Sequence, residues 1–332
     1  MRIGIPREIK DGESRVALSP RGITSLKGVV VEPGAGAGVG FSDQDYMRNG
    51  AALGDPWECE IVVKVKEIQP GEYGKPRRGQ VVLGFEQFAA NRPLLDAALA
   101  SRATFISYNT VGRQRGESPI LAPMSAIAGR LAVQIGAWCL QKQNGGSGVL
   151  LSGCDGVPPG KVAIVGAGLV GSNALHLAHG MGADVTVYAR SEGRFGPLRN
   201  KYPGARFETG QPRVEDTDLV IGGVFTPGSA SPKIITRAML RAMRPGSALV
   251  DIGIDQGGIA ETSRLTSHSA PIYIEEGVVH YGVANVPAAT PRTASLALER
   301  AVLPYVRTLA NGGMDADLEA GVAVRDGRRI AR

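Results

Sequence analysis

Short apolar runs alternate with segments of helical periodicity along the first third of the chain. Each run is rich in β-branched residues and has the length of a buried strand. We predict five such strands, at residues 2–5, 29–32, 61–66, 81–85 and 104–107. Helical patterns at about 20–26 and 91–101 separate some of them. This alternation predicts βα units and a mostly parallel sheet with its own core.

A long predicted helix and a second group of strands follow. Apolar residues recur at helical spacing from 124 to 143, and a glycine-rich loop at 144–148 ends the pattern. Further strands are predicted at 161–165, 183–189, 218–223, 248–252 and 281–285, before a last helix at about 293–310.

The first two strands of this second group enclose a glycine motif. The strand at 161–165 leads into Gly166-Ala167-Gly168-Leu169-Val170-Gly171, and an apolar helix follows. In a dinucleotide-binding βαβ unit the first glycine permits the tight turn and the second lets the backbone approach the pyrophosphate. The third lets the helix pack closely on the strand, and the helix N-terminus offers N–H groups to the anion. We predict that the turn from Gly166 through Gly168, Leu169 and Val170 to Gly171 binds a dinucleotide.

These patterns together predict an α/β fold. We expect two Rossmann-like domains with mostly parallel sheets, a cleft between them and the long helix joining them. The substrate or catalytic domain would be discontinuous, residues 1–125 with 290–332, around a dinucleotide-binding domain at 126–289. The active site is expected in the cleft, where ligands bind at the carboxyl ends of strands.

The residues after the strand at 183–189 bear on the choice of dinucleotide. Sites for NAD usually place an acidic residue there to hold the ribose 2′-hydroxyl. This chain has Ala189, Arg190 and Ser191, with Arg194 a little further on. A guanidinium can bind a 2′-phosphate bidentately, and a serine hydroxyl can donate to it. We therefore predict NADP(H) over NAD(H); the alternative is that the arginines form only a solvated loop.

Composition narrows the class of protein. The 332 residues are 43% hydrophobic and 20% charged, as in an ordinary globular protein. The net charge of +6 is mild, and the basic clusters at 75–78 and 325–329 lie near Gly or Pro, so nucleic-acid binding is not expected. The three cysteines and four histidines show no metal-ligand spacing. The cysteines fit reduced thiols in a cytoplasmic protein. The chain opens on a strand rather than a signal peptide, and its apolar runs are too short for a membrane span.

Several segments spread over the chain resemble the alanine dehydrogenase family, which includes the nucleotide-binding domain of the proton-translocating transhydrogenases. The resemblance covers the chain nearly end to end. Its segments are RIGIPRE at 2–8, ESRVA at 13–17, VKVKE at 63–67, PMSAIAGR at 123–130, DIGIDQGG at 251–258, VANVP at 283–287 and PRT at 291–293.

The resemblance implies roles for two cations. Arg15 and Lys66 match the substrate-binding residues of the family. An arginine can clamp the carboxylate of a 2-oxo acid bidentately, and a lysine can hold its carbonyl oxygen. Lys66 also follows an apolar run at a predicted strand end. The alternative for Arg15 is a surface salt bridge.

The resemblance also implies roles for residues of the second domain. Asp255 matches the active-site aspartate, which could orient an ammonium group or share in proton transfer. Asn285 matches a residue near the nicotinamide carboxamide, and it could also contact substrate. Ser125 matches a residue that contacts the cofactor phosphates. Gly223 and Val224 would line the cofactor cleft. A small-molecule substrate and a homo-oligomer, dimer or hexamer, are implied as well.

The chain departs from the family at three places. The family carries an acid–base histidine at the position of Gln87, and glutamine cannot carry a proton near neutral pH. Asn109 and Ala126 stand where the family has glutamates. Ala189 to Ser191 replace the segment that ends in aspartate. His268 and His280 are the histidines that the fold could bring close to the vacant acid–base position.

Three hypotheses remain open. In the first, the chain is an NADP(H)-dependent oxidoreductase that reduces an imine or a 2-oxo acid, on an amino-acid-like substrate other than alanine. In the second it is an alanine or amino-acid dehydrogenase with an adapted site. In the third it binds a dinucleotide without chemistry of its own; the presence of Arg15, Lys66 and Asp255 weighs against that, since a pure nucleotide binder needs no carboxylate clamp.

Overall fold

The computed structural model describes residues 1–224 and 230–330. Strands and helices are numbered in chain order. The strands are β1 (Ile3–Ile5), β2 (Val29–Val31), β3 (Ala52–Leu53), β4 (Ile61–Lys66), β5 (Val81–Phe85), β6 (Thr104–Ser107), β7 (Lys161–Val165), β8 (Asp184–Ala189), β9 (Arg206–Thr209), β10 (Leu219–Gly222), β11 (Ala248–Asp251), β12 (Ile272–Glu275), β13 (Val278–Tyr281), β14 (Val322–Arg325) and β15 (Arg328–Arg329). The helices are α1 (Asp43–Arg48), α2 (Arg92–Ser101), α3 (Leu121–Cys139), α4 (Leu169–Gly180), α5 (Gly196–Lys201), α6 (Arg237–Ala242), α7 (Pro291–Ala310) and α8 (Ala316–Gly321).

The chain divides into two compact units. Unit 1 comprises Met1–Met124 and Thr290–Arg332, and unit 2 comprises Ser125–Ala289. Over the described residues each unit contains one mixed, mostly parallel sheet, so the α/β prediction is confirmed. The boundary between the units at 124 and 125 falls within α3.

The sheet of unit 1 has the order β15-β14-β6-β5-β4-β1-β2-β3. Its strands pair in parallel from β6 to β3, whereas β14 and β15 run antiparallel at one edge. Because parallel strands are covered on both faces, β4 is buried along its whole length. The helix predicted at about 20–26 is wrong: the chain forms only a short 3-10 turn there, Gly22–Ser25.

The sheet of unit 2 has the order β12-β13-β11-β10-β7-β8-β9, with only β12 antiparallel. Successive residues of β7 enter different cores: Val162 and Ile164 join one apolar cluster, while Ala163 and Val165 join another. This alternation is the period of a strand buried on both faces.

The strand predicted at 281–285 is wrong in position, since β13 is Val278–Tyr281. Glu276 and Gly277, both with positive φ, connect β12 to β13 in a tight hairpin and thereby fix where β13 begins. None of the helices in the described part of the chain is long and apolar enough to cross a membrane.

Candidate active-site residues

The glycine motif of unit 2 forms the turn between β7 and α4. Gly166 has φ +112, and a Cβ atom there would lie 2.7 Å from the carbonyl oxygen of Gly223. A Cβ on Gly171 would lie 1.7 Å from the carbonyl oxygen of Gly166. Neither position accepts a side chain without movement of the backbone, so both glycines are required by the turn itself.

Gly168 differs from the other two glycines because a Cβ there would meet nothing within 4 Å. It is the N-cap of α4 and offers no side chain to that helix, whose first residues are Leu169 and Val170. The first N–H groups of a helix lack partners within the helix, and the macrodipole favours an anion there. The open side of Gly168 and the N-terminus of α4 therefore fit a pyrophosphate group.

The end of β8 places two arginines beside the same edge of the sheet. Ala189 ends β8, Ser191 is the N-cap of the following 3-10 turn, Glu192–Arg194, and Arg194 is the last residue of that turn. Arg190 and Arg194 are exposed, and neither guanidinium has a hydrogen bond or ion pair with any described residue. In contrast, the nearby Arg213 is held by Glu208 at 2.8 Å.

Other predicted residues of unit 2 follow neighbouring parallel strands. Gly223 and Val224 come directly after β10, exposed Asp255 lies in the 3-10 turn after β11, and Asn285 follows β13 with φ +54. Since the carboxyl ends of parallel strands lie at the same edge of a sheet, these residues share an edge with the glycine turn.

Ser125 reaches this part of unit 2 through helix packing. A Cβ on Gly129 of α3 would lie 2.1 Å from the carbonyl oxygen of Val170, so α3 touches the first turn of α4. Arg130 donates to the side chain of Asn173 on α4 at 3.2 Å. Ser125 lies four residues, or about one helical turn, before Gly129 on the same side of α3.

In unit 1, a bulge in β4 separates the surroundings of two lysines. The pairing of β4 with β5 shifts between Val63 and Lys66. In a regular strand Lys64 and Lys66 would lie on the same face. Instead the bulge gives them different partners, as bulges near active sites often do. The carboxylate of Glu8 accepts hydrogen bonds from the bulged amides, 2.6 Å from the nitrogen of Val65.

Lys64 is wholly buried and ion-paired. Its ammonium lies 2.8 Å from a carboxylate oxygen of Glu72 and 3.3 Å from one of Glu8. Burial acts to lower the pKa of Lys64, but the two carboxylates outweigh it and the pKa is raised. Lys64 is therefore held as a cation within the structure.

Lys66 has no such partners. The residue is 7% exposed, yet its ammonium makes no hydrogen bond or ion pair with any described residue. Burial lowers the pKa of Lys66; Glu67 acts against this, and the charges of Lys10 and Arg15 add to it. A buried ammonium without a hydrogen-bonded partner is unusual, and it suits a group that receives its partner from a ligand.

Arg15 forms a salt bridge, as the alternative for it predicted, but the residue is 2% exposed, so the pair is buried rather than at the surface. The carboxylate of Glu13 binds its Nε and Nη2 atoms in a bidentate pair at 2.7 and 2.6 Å. Nη1 donates to the sulfur of Met124 at 3.3 Å, a weak acceptor. The guanidinium is thus oriented by protein contacts at all three of its nitrogens.

Gln87, predicted at the position of the family histidine, is exposed and follows β5 by two residues. Glu86, which the sequence analysis did not single out, comes between them and is 5% exposed. Burial raises the pKa of Glu86 to about 8. The amide of Asn109 donates to the backbone carbonyl oxygen of Glu86 at 2.9 Å. The signal in the sequence that could have identified Glu86 is a glutamate directly after a buried strand.

His280 is committed to the core of unit 2. Its Nε2 pairs with the hydroxyl of Thr262 at 2.8 Å, its Nδ1 lies 2.9 Å from the carbonyl oxygen of Val278, and its ring stacks on Tyr273. Burial lowers its pKa. Both ring nitrogens are occupied, so the suggestion that His280 could replace the missing acid–base histidine is not supported.

Comparison with known proteins shows the family of this chain. The profile described as "Alanine dehydrogenase/PNT, N-terminal domain" matches residues 4–128, and that described as "Alanine dehydrogenase/PNT, C-terminal domain" matches residues 132–331. The chain belongs to the alanine dehydrogenase/PNT family. The resemblance seen in the sequence segments is thereby confirmed.

Relatives in this family match over nearly the whole chain. An alanine dehydrogenase of Halomonas elongata is 45% identical over 353 residues, which cover 100% of this chain and 95% of that protein. Alanine dehydrogenase 2 of Staphylococcus aureus is 44% identical over 329 residues, covering 94% of this chain and 88% of that protein. The chain is therefore an oxidoreductase of the alanine dehydrogenase type.

Solved structures give the same result. A structure described as an L-alanine dehydrogenase superposes with a TM-score of 0.96 at 41% identity, covering 99% of this chain and 97% of that one. A transhydrogenase from Sinorhizobium meliloti superposes with a TM-score of 0.85 at 26% identity and covers 99% of each chain. The dinucleotide-binding fold of the family implies that the chain binds NAD(H) or NADP(H).

Proposed function

We propose that this chain is an NADP(H)-dependent oxidoreductase that reduces a C=N or C=O bond next to a carboxylate, on an amino-acid-like substrate other than alanine. The observation that carries the proposal is the pair formed by Lys66 and Arg15 in unit 1. Both are buried in unit 1, Lys66 is the last residue of β4, and the charge of Arg15 contributes to the lowered pKa of Lys66. Two cations held this way suit an anionic 2-oxo or 2-imino acid.

The proposed roles of Arg15 and Lys66 follow from the residues that contact each of them. Glu13 and Met124 orient the guanidinium of Arg15, which then binds the substrate carboxylate. Lys66 donates to the substrate carbonyl oxygen or imine nitrogen and stabilises negative charge that develops on it. Asp255 is assigned, from its match to the active-site aspartate of the family, to orient the ammonium or amine group of the substrate. When bound, the nicotinamide cofactor supplies the hydride.

NADP(H) rather than NAD(H) is proposed from the end of β8. Ala189 offers no carboxylate to the ribose, and the exposed Arg190 and Arg194 have no partner among the described residues. Ser191 adds a hydroxyl donor. A 2′-phosphate would satisfy both guanidinium groups through charge-assisted hydrogen bonds, whereas the 2′-hydroxyl of NAD could not. Gly168, Leu169, Val170 and Ser125 are proposed to hold the pyrophosphate, and Gly223, Val224 and Asn285 to contact the remainder of the cofactor.

A substrate other than alanine is proposed because the chain lacks three ionisable residues of the family pattern. Gln87 replaces the acid–base histidine, and Asn109 and Ala126 replace glutamates. Reductive amination of a 2-oxo acid needs proton transfers while ammonia adds and water leaves. Reduction of a preformed imine needs fewer, so it suffers less from the loss of an acid–base group.

Alanine dehydrogenase activity is the second candidate. It is favoured by the 44–45% identity to proteins described as alanine dehydrogenases, over nearly their whole length. Lys66 weighs against a protein that binds a dinucleotide and catalyses no reaction. A buried ammonium without a hydrogen-bonded partner lowers stability, and dinucleotide binding alone does not require it.

Oxidation of NADPH and of NADH by a panel of 2-oxo acids, each with and without ammonium, tests the proposal, with Lys66→Met as the control. The proposal predicts turnover on a bulkier oxo acid or on a cyclic imine, little on pyruvate, and loss of turnover in the control. Brisk turnover of pyruvate with ammonium would instead establish alanine dehydrogenase activity. In that case Gln87→His should raise the rate further. Binding of NADPH without any turnover would favour the third hypothesis.

A further inference from the structure

The side chain of Glu86 is the most anomalous charged group of unit 1. Both of its carboxyl oxygens are enclosed, and neither has a hydrogen-bond partner among residues 1–224 and 230–330. Oε2 of the neighbouring Glu67 is enclosed without a hydrogen bond as well, although the other oxygen of Glu67 is ion-paired with Lys10. Buried carboxyl groups are nearly always hydrogen-bonded. A bound water or a ligand would supply the hydrogen bonds that the described residues do not give to Glu86.

Glu86 lies beside Lys66 at the ends of paired strands. Lys66 pairs with Phe85, the residue before Glu86. Oε1 of Glu86 and the carbonyl oxygen of Lys66 lie 3.2 and 2.9 Å from the same point, the position of a Cβ on Gly84. The absence of a side chain at Gly84 leaves room for the carboxyl group there. The unpartnered carboxyl thus belongs to the same edge of the sheet as the proposed substrate site.

The charged groups around Glu86 favour its neutral form. Desolvation is the largest effect, and the negative charges of Glu67 and Glu8 act in the same direction, while Lys64 and Lys66 oppose them. Tyr108 packs against the same region, and burial raises its pKa well above the ordinary value. A carboxyl group that titrates near neutral pH can both donate and accept a proton there. The groups that face Glu86 are Glu8, Lys64, Lys66, Glu67 and Tyr108.

We propose that Glu86 is the acid–base group of the site and supplies the proton transfer that Gln87 cannot. This inference rests on the proposed function, because it assigns the proton donor of the same reaction. It accounts for the chain keeping a buried, unpartnered carboxyl group at the strand end where the family histidine is absent. The proton passes to the substrate directly or through one bound water.

With ammonia as the second substrate, Glu86 acts at the step in which water leaves. The nitrogen lone pair of ammonia attacks C2 of the oxo acid as the C=O π bond breaks, and one proton passes from nitrogen to oxygen, which gives the hydroxyl of a carbinolamine. Glu86 gives its proton to that hydroxyl as the C–O bond breaks and water leaves, while the nitrogen lone pair forms the C=N bond. Glu86 becomes a carboxylate, and the next ammonium ion returns a proton to it as it becomes ammonia.

The experiment compares wild type, Glu86→Gln, Glu86→Met and the double variant Glu86→Gln with Gln87→His. Wild-type kcat/KM for reduction should fall as the pH rises through about 8. The two single variants should lose about 10²–10⁴-fold in kcat/KM and also lose this alkaline limb. The histidine of the double variant should restore part of the rate, and the rate should then decline at a lower pH than in wild type. The thermal midpoint of each variant is measured alongside.

A merely structural role would lower the thermal midpoint of both single variants. The proposal predicts the reverse for Glu86→Met, because an apolar side chain of similar size removes a costly buried carboxyl group. Wild-type rate and pH profile in folded Glu86→Gln would overturn the role of Glu86 and leave the proposed function standing. Absence of turnover in wild type across the whole panel would overturn both.

Discussion

The carbonyl oxygen of Gly166 lies 1.7 Å from the position that a Cβ on Gly171 would occupy. The turn and the first residues of α4 are therefore in direct backbone contact, and the shape of the anion-binding loop depends on glycine at both ends. Gly168, between them, has open space on the side where its Cβ would be. We therefore expect alanine at Gly171 to affect mainly stability and alanine at Gly168 to affect mainly dinucleotide binding.

Gly171→Ala should lower the free energy of unfolding by about 1–3 kcal/mol, because the backbone must move to admit the methyl group. Gly168→Ala should leave stability nearly unchanged but weaken dinucleotide binding at least tenfold, since its methyl group occupies the space that the pyrophosphate approaches. Urea denaturation and fluorescence titration with NADPH measure the two effects. Equal affinity for NADPH in wild type and Gly168→Ala would contradict the placement of the pyrophosphate.

Lys64 and Lys66 should respond differently to the same substitution. Lys64→Met leaves Glu8 and Glu72 buried without their cation and should cost about 3–5 kcal/mol of stability. Lys66→Met should leave stability unchanged or higher, because it removes a buried ammonium with no hydrogen-bonded partner, and should abolish reduction of the substrate. Denaturation and steady-state kinetics of the pair provide the measurement. Full reductase activity in Lys66→Met would rule out the proposed substrate site.

Cofactor preference should depend on the two exposed arginines after β8. Arg190→Ala and Arg194→Ala should each lower the ratio of kcat/KM for NADPH over NADH about tenfold, since each removes a charge-assisted contact to the 2′-phosphate. Arg213→Ala removes an equal charge that is already paired with Glu208, and is the control. Ala189→Asp combined with Arg190→Ile should shift the preference towards NADH. An unchanged ratio in that double variant would remove the argument for NADP(H).

The stability of the protein should depend on pH through Glu86. Its pKa is raised in the folded state, from 4.5 to about 8, so the folded protein binds more protons than the unfolded chain between these values. The contribution of Glu86 to the free energy of unfolding is therefore fully present below pH 4.5. It is lost as the pH rises towards 8, by at most about 1.4 kcal/mol per pH unit. Glu86→Gln should flatten this decline in urea denaturation between pH 5.5 and 8.5.

The exposed Glu60 is the control for this titration. Its pKa is lowered by a hydrogen bond from the backbone of Arg2, so it stays ionised in both states over this range, and Glu60→Gln should leave the slope unchanged. The same slope in wild type and Glu86→Gln would mean that Glu86 is not protonated in the folded protein.

Much of the fold could be predicted because the strands are continuous apolar runs. The predicted strands at 61–66, 81–85 and 104–107 coincide with β4, β5 and β6. Such runs, broken by turn residues, identify buried parallel strands without reference to the rest of the chain. The position of β13 was missed because a hairpin turn at Glu276 and Gly277, rather than hydrophobicity, determines where it begins.

The sequence by itself determined the family, the α/β architecture and the glycine turn, because each depends on local patterns of residue type. The tertiary structure decided which of two lysines in one strand is free to meet a ligand, since a bulge and the distant carboxylates of Glu8 and Glu72 separate them. It also decided that the carboxyl group of Glu86 is buried without a hydrogen bond to any residue that the structure describes. Burial and partnership depend on residues far apart in the chain, and no local pattern contains them.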